Sequence, residues 1–365
     1  MKRKKKDQGL KTAAIMLTLL LTGMVAMLIL MPRQNHAVVV NNPTLSPTVD
    51  LPLEVVEYPV EADDETATKA EEAGRYLPVV RRGETDQRVI AITVDDCFQP
   101  DNLKEIVTLI HRNDGHVTLF PIGENLKKPG VAEVVRGCVY KLGDEVENHT
   151  WSHQRVFRLS EAEMAAEIWK QRAALNQVLQ ADYDQHLFRL MGGDGESDLR
   201  THNYLDQLGY RGIAGWSLSG SDADMDQIKA ALEPGAIYLF HCTDSDTKKL
   251  REFIPYAVQQ GYRLVTLNAL MGWEDNALAP YTPQEMPAPR AFEDDWRTHR
   301  QGDYAWNVVR LQDALRSLGI LAMDGPSTGY YGPQTAEAVR KYQSRAGLPA
   351  TGEADRETMR KILGT

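Results

Sequence analysis

RVIAITVDDC, residues 88–97, is an unbroken apolar run of strand length that stops abruptly on two adjacent carboxylates. Its β-branched residues Val89, Ile90, Ile92, Thr93 and Val94 leave no polar face, as expected of a parallel strand covered on both sides. Beyond it the pattern alternates. DNLKEIVTLIHRN has helical spacing at Leu103, Ile106, Val107, Leu109 and Ile110, and HVTLFPIG returns as a strand. A second unit follows with VAEVVRGCVYKLG, then a long helix opened by Ser160 with Glu163 placed for a capping box. HLFRL, YRGIAGWSL, AIYLFH and YRLVTL read as later strands, separated by DLRTHNYLDQLG, DADMDQIKAALE and TKKLREFIPYAVQQ. Repeated strand–helix alternation implies a parallel sheet, open or closed. The closed form is expected: an α/β domain over residues 85–272, a distorted (β/α) barrel of about seven parallel strands.

Outward from this domain the composition shifts on both sides. Residues 1–11 are basic, with six Lys or Arg against one Asp, and residues 12–31 carry no charge. Twenty apolar residues at about 1.5 Å rise span roughly the 30 Å hydrocarbon core of a bilayer. NHA before Val38 is a poor cleavage site, so residues 12–31 are expected to be a retained signal anchor, with the basic segment cytoplasmic and the rest outside. The expected location is the bacterial cell membrane, single-pass. Residues 32–84, rich in Pro, Thr and acid, read as a tether, and 273–303, with four prolines in NALAPYTPQEMPAPR, as a second linker. Residues 304–365 are a helical module. The chain carries −10 overall, and about −15 once the first eleven residues, at +5, are set aside, which excludes nucleic acid as a partner. Three cysteines, Cys97, Cys138 and Cys242, provide no disulfide framework.

On a barrel, chemistry belongs where strands end and loops converge. Four strand ends here carry acid, base or guanidinium: Asp95 and Asp96, Arg189, Asp222 and His241. ENHTWSHQ adds two histidines four apart, His149 and His153. Successive residues leaving a strand point to opposite faces, so Asp95 and Asp96 have different jobs. One can join the two imidazoles around a metal with a position open for water, the usual composition of a catalytic zinc site, and the other can face that water as a base.

These residues carry a resemblance. TVDDC resembles the T-F-D-D-G motif, and NHTWSH the N-H-T-x-S-H motif, of NodB-type polysaccharide deacetylases, carbohydrate esterase family four. The similarity runs over roughly residues 86 to 270, through FPIGENL, Arg189, the Asp222 region, LFH at 239–241 and GYRLVTL. The resemblance implies Asp95 as catalytic base and Asp96, His149 and His153 as ligands of one divalent ion, zinc or alternatively Co, Ni, Mn or Fe. It further implies Arg189 as the partner of the base, His241 as general acid tuned by Asp222, the Gly192 N–H as oxyanion donor, and Leu239 beside the substrate. The implied reaction is hydrolysis of acetamides on a wall polysaccharide.

The chain departs from the family pattern in places. R-P-P-Y-G is here RLMGG, Cys97 replaces a glycine, and Asp222-Ala223 stands for D-W. Trp151 and Trp216 are candidates for sugar contact or for packing, and Cys97 and Cys242 for a redox pair or for small buried hydrophobes. VVRLQDALRSLG, DGPSTGYYGPQTAEAVRKYQ and GLPATG, within residues 306–363, resemble the three-helix peptidoglycan-binding domain of the first type, which implies peptidoglycan as partner. A competing reading is a membrane-tethered wall-binding protein on a degenerate, non-catalytic deacetylase fold.

Overall fold

In the computed structural model, which describes residues 75–290 and 297–364, the opening run becomes the longest of the strands, Val89–Asp96. In chain order the strands are β1 (Val79–Val80), β2 (Val89–Asp96), β3 (Thr118–Pro121), β4 (Glu145–Val146), β5 (Ala181–Tyr183) and β6 (Leu187–Phe188). There follow β7 (Gly212–Ala214), β8 (Leu218–Ser219), β9 (Ile237–His241), β10 (Arg263–Leu264) and β11 (Leu278–Pro280). β4, β3, β2, β9 and β8 pair in that order, all parallel, with β10 also parallel on β2, and β1, β7 and β6 form a second parallel set. A parallel bridge between Asn148 and Phe188 joins the two sets on one margin. On the other margin Ser217 donates from its hydroxyl to the Arg81 carbonyl and from its N–H to the Ile237 carbonyl, both at 2.8 Å. The two parallel sets thus approach each other on both margins, in the manner of a distorted barrel, with nine parallel strands where about seven were expected.

Period-two alternation along β2 divides the core. Ile90, Ile92 and Val94 pack outward with Leu103, Ile106 and Ile110 of the helix Pro100–His111. Ala91 points to the interior with Phe120, Leu187, Ala214 and Ile237. Continuing that alternation, Thr93 and Asp95 lie on the interior face, so Asp95 arrives at the C-terminal mouth of the barrel already buried.

The domain edges differ from the sequence expectation. β1 lies inside the segment read as tether, residues 32–84, because its two valines find a parallel partner in β7. The segment read as a second linker, 273–303, contributes β11, antiparallel to β5, and its Pro287 carbonyl accepts from the Tyr204 hydroxyl at 3.0 Å. The single strand read from YRGIAGWSL is two, β7 and β8, because the chain changes partner between them: Gly215 N–H donates to the Val80 carbonyl beside β7, and Ser217 N–H to the Ile237 carbonyl of β9. The proposed anchor, residues 12–31, and the tether up to residue 74 fall outside the described residues. Among the described residues no helix is long and apolar enough to cross a membrane.

The C-terminal module is three-helical as expected: Trp306–Ser317, Pro333–Ala346 and Arg356–Leu363 close over Val308, Leu311, Leu315, Tyr331, Val339 and Met359. Buried Gln312 ties its turns, accepting from Gly329 N–H at 2.9 Å and donating to the Tyr330 carbonyl at 2.8 Å. The module sits against the barrel loops. Tyr304 N–H donates to Ser197 Oγ at 3.1 Å, Arg158 Nε donates to the Thr328 carbonyl at 3.1 Å, and a Cβ on Gly329 would meet the Phe157 ring at 2.7 Å.

Candidate metal centre and active site

The long strand ends by breaking its own geometry. Asp96 and Cys97 take φ of 65° and 54°, and Thr150 and His153 take 65° and 60°. Only Asp114 and Gln180 share this left-handed region among the other described non-glycine residues, so backbone strain gathers where the two chain segments meet. Short hydrogen bonds hold the second segment in place. Asn148 Oδ1 accepts from Thr150 N–H at 2.9 Å, Thr150 Oγ1 accepts from His153 N–H at 2.9 Å, and Ser152 donates N–H and hydroxyl to Glu167, each at 2.8 Å. Asn148 in turn donates to the Ile168 carbonyl and to the Tyr210 hydroxyl.

The result brings Asp96, His149 and His153 together. Asp96 Oδ1 lies 3.5 Å from His149 Nε2 and 3.6 Å from His153 Nε2. It is sealed from solvent and has no hydrogen-bond partner. Ligand atoms about 2.1 Å from one tetrahedral ion stand about 3.4 Å apart, so these edges fit a shared divalent cation and are too long for hydrogen bonds. His149 Nδ1 lies 2.9 Å from the Arg189 carbonyl, which can only accept, so the proton sits on Nδ1 and the Nε2 lone pair is turned to the ion. Burial pushes the Asp96 carboxyl up, but the imidazoles of His149, His153 and His241 outweigh it and hold it below the usual carboxylate range. Burial, with His149, pushes His153 down, which favours the neutral, ligating form.

Asp95 stands beside this triad, its Oδ2 3.8 Å from His149 Nε2. Arg189, fully buried, donates from Nη1 to both Asp95 oxygens at 3.3 and 3.4 Å and from Nη2 to Thr93 Oγ1 at 3.2 Å. Its guanidinium is stacked between the rings of Phe120, 4.3 Å away, and Trp216, 5.4 Å away. Trp216 therefore serves the arginine by packing, and it also touches the loop at Gly193.

His241 is aligned with Asp95 in the β2–β9 register. At this residue the structure corrects one expectation. Asp222 Oδ2 accepts from the Ser219 hydroxyl at 2.6 Å. The carboxylate at His241 is Asp246, which is buried and accepts from His241 N–H at 2.8 Å and from the Ser221 hydroxyl at 2.5 Å. Because Ser221 gives its proton to Asp246, it accepts from His241 Nδ1–H at 2.8 Å, leaving Nε2 as the exchanging nitrogen. Burial pushes the His241 imidazolium down, but Asp246, Asp95 and Asp96 outweigh it and raise its proton affinity above the ordinary histidine value. The missed residue carried a signal: Thr243-x-x-Asp246 directly after β9 is a helix N-cap pattern, and Thr243 Oγ1 does accept from Asp246 N–H, at 3.1 Å. A carboxylate fixed in the first turn of the helix Asp244–Gln259 reaches back to the strand end that a loop residue does not.

Five further candidates line the rim or pack beneath it. Gly192 lies exposed in the loop after Arg189 with φ of 62°. Leu239 is buried in β9 opposite Thr93. Trp151 packs over Gly123, whose Cβ would fall 2.5 Å from its ring, with the Lys127 ammonium 4.4 Å from the ring centre. Both contacts fix the position of its half-buried ring. Cys97 and Cys242 are buried free thiols, and Cys242 Sγ accepts from Gln99 N–H at 3.2 Å.

Residues 82–213 match the polysaccharide deacetylase family model. The chain carries a polysaccharide deacetylase domain. Residues 306–362 match a peptidoglycan binding domain. The chain is 28% identical over 204 residues to the peptidoglycan-N-acetylmuramic acid deacetylase PdaC of Bacillus subtilis, an alignment covering 53% of this chain and only 41% of PdaC. It is 23% identical over 203 residues to a peptidoglycan-N-acetylglucosamine deacetylase of Bacillus cereus, covering 52% of this chain and 91% of that protein. Among solved structures, a family-four pseudoenzyme of Bacillus anthracis, BA3943, matches at TM-score 0.47 and 21% identity over 53% of this chain and 68% of that one. The deacetylase domain of this chain holds acid, base and imidazole groups together at its barrel mouth.

Proposed function

We propose that this protein is a divalent-metal-dependent de-N-acetylase of cell-wall polysaccharide, acting on N-acetylhexosamine units of peptidoglycan and releasing acetate. The observation that carries the reading is the sealed, unpartnered Asp96 Oδ1 between two imidazole nitrogens, with a buried carboxylate on one side and a polarised histidine on the other. The peptidoglycan binding domain and the substrates named for the two relatives support the choice of polymer.

When bound by Asp96, His149 and His153, the cation supplies an acidified water and a polarised acetamide carbonyl. Asp95, held by Arg189 and screened from bulk water, takes the proton as the water adds to the carbonyl carbon. The Gly192 N–H is proposed to donate to the developing oxyanion. His241, kept protonated by Asp246, delivers a proton from Nε2 to the leaving amine, and the C–N bond breaks to give acetate and a free amino sugar. Residues 12–31 are proposed to anchor the chain in a bacterial membrane with both domains outside.

The test is acetate release from purified peptidoglycan by the metal-loaded full chain. His241→Gln leaves the ligands and the buried ion pair untouched, so it is expected to keep its metal and lose about 10²–10⁴ in rate; Asp95→Asn breaks that pair but spares the three ligands, and is expected to keep its metal and lose at least as much rate. Metal bound without acetate from any acetylated glycan would establish the non-catalytic wall-binding alternative instead.

A further inference from the structure

The feature that marks the catalytic triad, a sealed nitrogen or oxygen with no hydrogen-bond partner facing a carboxylate–imidazole edge of about 3.5 Å, occurs a second time. His111, His116 and Asp144 offer ligand atoms that all lie within 4.8 Å of one another. Asp144, whose side chain is fully buried, receives His111 Nε2 at 2.9 Å and Val117 N–H at 3.1 Å. His116 Nδ1 lies 3.6 Å from Asp144 Oδ1, sealed from solvent and without a hydrogen-bond partner. The two imidazole rings meet edge-on with centroids 5.4 Å apart.

An ion pair between His111 and Asp144 explains the short contact alone. It leaves His116 unexplained, because a nitrogen turned to a carboxylate at 3.6 Å is too far to hydrogen-bond yet stands at the edge length of a shared tetrahedral ion. We infer that His111 Nε2, His116 Nδ1 and an Asp144 oxygen form a second divalent metal site, distinct from the catalytic centre. Two imidazoles and one carboxylate suit zinc or another late first-row ion better than Ca²⁺ or Mg²⁺, which prefer all-oxygen sets. The His116 side chain is 45% exposed, which leaves a solvent face for a water ligand and for exchange.

The position sets the role. His111 ends the helix Pro100–His111, His116 comes two residues before β3, and Asp144 immediately precedes β4. His116 and Asp144 lie where strands begin and His111 at the end of the preceding helix, whereas Asp95, Asp96 and His241 lie where strands end, so the ion would tie this helix to the strand starts and take no part in catalysis.

The experiment is equilibrium dialysis of the full chain, stripped by chelator, against about 50 µM free Zn²⁺, with metal counted by mass spectrometry. In the Asp96→Asn, His149→Gln background, which disables the catalytic triad, about one zinc per chain is expected to remain. Adding His116→Ala or, separately, His111→Gln is expected to weaken that zinc at least about a hundredfold, circular dichroism reporting an unchanged fold. The inference is overturned if the background variant takes up no zinc, or if folded His116→Ala and His111→Gln chains both retain it. Neither outcome bears on whether acetate is released.

Discussion

The buried pair of Arg189 and Asp95 should dominate the energetics of the barrel mouth. Their side chains are 0% and 4% exposed and 3.3 Å apart, which at an effective dielectric of about 20 gives roughly 5 kcal/mol of mutual attraction, set against the cost of taking both charges out of water. Arg189→Met fills the slot between Phe120 and Trp216 with a flexible apolar chain, and Thr93 keeps its own bond to the Tyr238 carbonyl at 2.9 Å. Asp95→Asn keeps the shape and removes the charge. Each change strands one buried charge and should cost about 3–5 kcal/mol. The double variant strands neither, so its cost should fall short of the sum by about 3–5 kcal/mol. Urea unfolding of the four metal-free chains, followed by tryptophan fluorescence, measures the cycle. Costs that add within about 0.5 kcal/mol would refute the pairing, since uncoupled sites behave so.

Asp246→Asn removes the negative charge that, through Ser221, holds the His241 proton, so the alkaline limb of acetate release against pH should move to lower pH. An unmoved limb would mean that Asp246 does not tune the acid. Burial pushes Glu145 up to about 7, against hydrogen bonds from Thr118, Leu267 and Asn268 that favour its charge. Its folded-state value lies above the unfolded one near 4.3, so its stabilisation is complete below about pH 4 and is lost as pH rises toward 7. Thermal unfolding should show Glu145→Gln flattening that decline, and an identical slope in the variant would contradict it. Gly235 has φ of 80°, and a Cβ there would lie 2.1 Å from the Gly83 carbonyl oxygen. Gly235→Ala should therefore cost more than about 3 kcal/mol in urea unfolding, and a loss below about 1 kcal/mol would show that the close approach relaxes freely.

Asp95, Asp96, Arg189 and the His149–His153 pair stand out in the sequence because each sits at a strand end or in a short motif, while the resemblance to the NodB-type deacetylases supplied which carboxylate joins the imidazoles and which pairs with Arg189. The β2 run announces burial on both faces, and the break after Asp95 announces two differently aimed carboxylates. Asp222 misleads for the opposite reason: it lies on a loop after β8, where local sequence does not say which carboxylate reaches His241. The two-residue strand β1 and the edge strand β11 do not stand out because their apolar content is too short, and they exist only by pairing with β7 and β5. Trp151 and Trp216 pack against Gly123 and Arg189, partners that no periodicity reveals.

Anomalous diffraction at the zinc edge, from crystals of the zinc-loaded protein, tests the central claim most directly. A shared cation should give a peak about 2.0–2.2 Å from Asp96 Oδ1, His149 Nε2 and His153 Nε2 together, beside Asp95. A map with no peak there, or with one bound by fewer than all three, would contradict it.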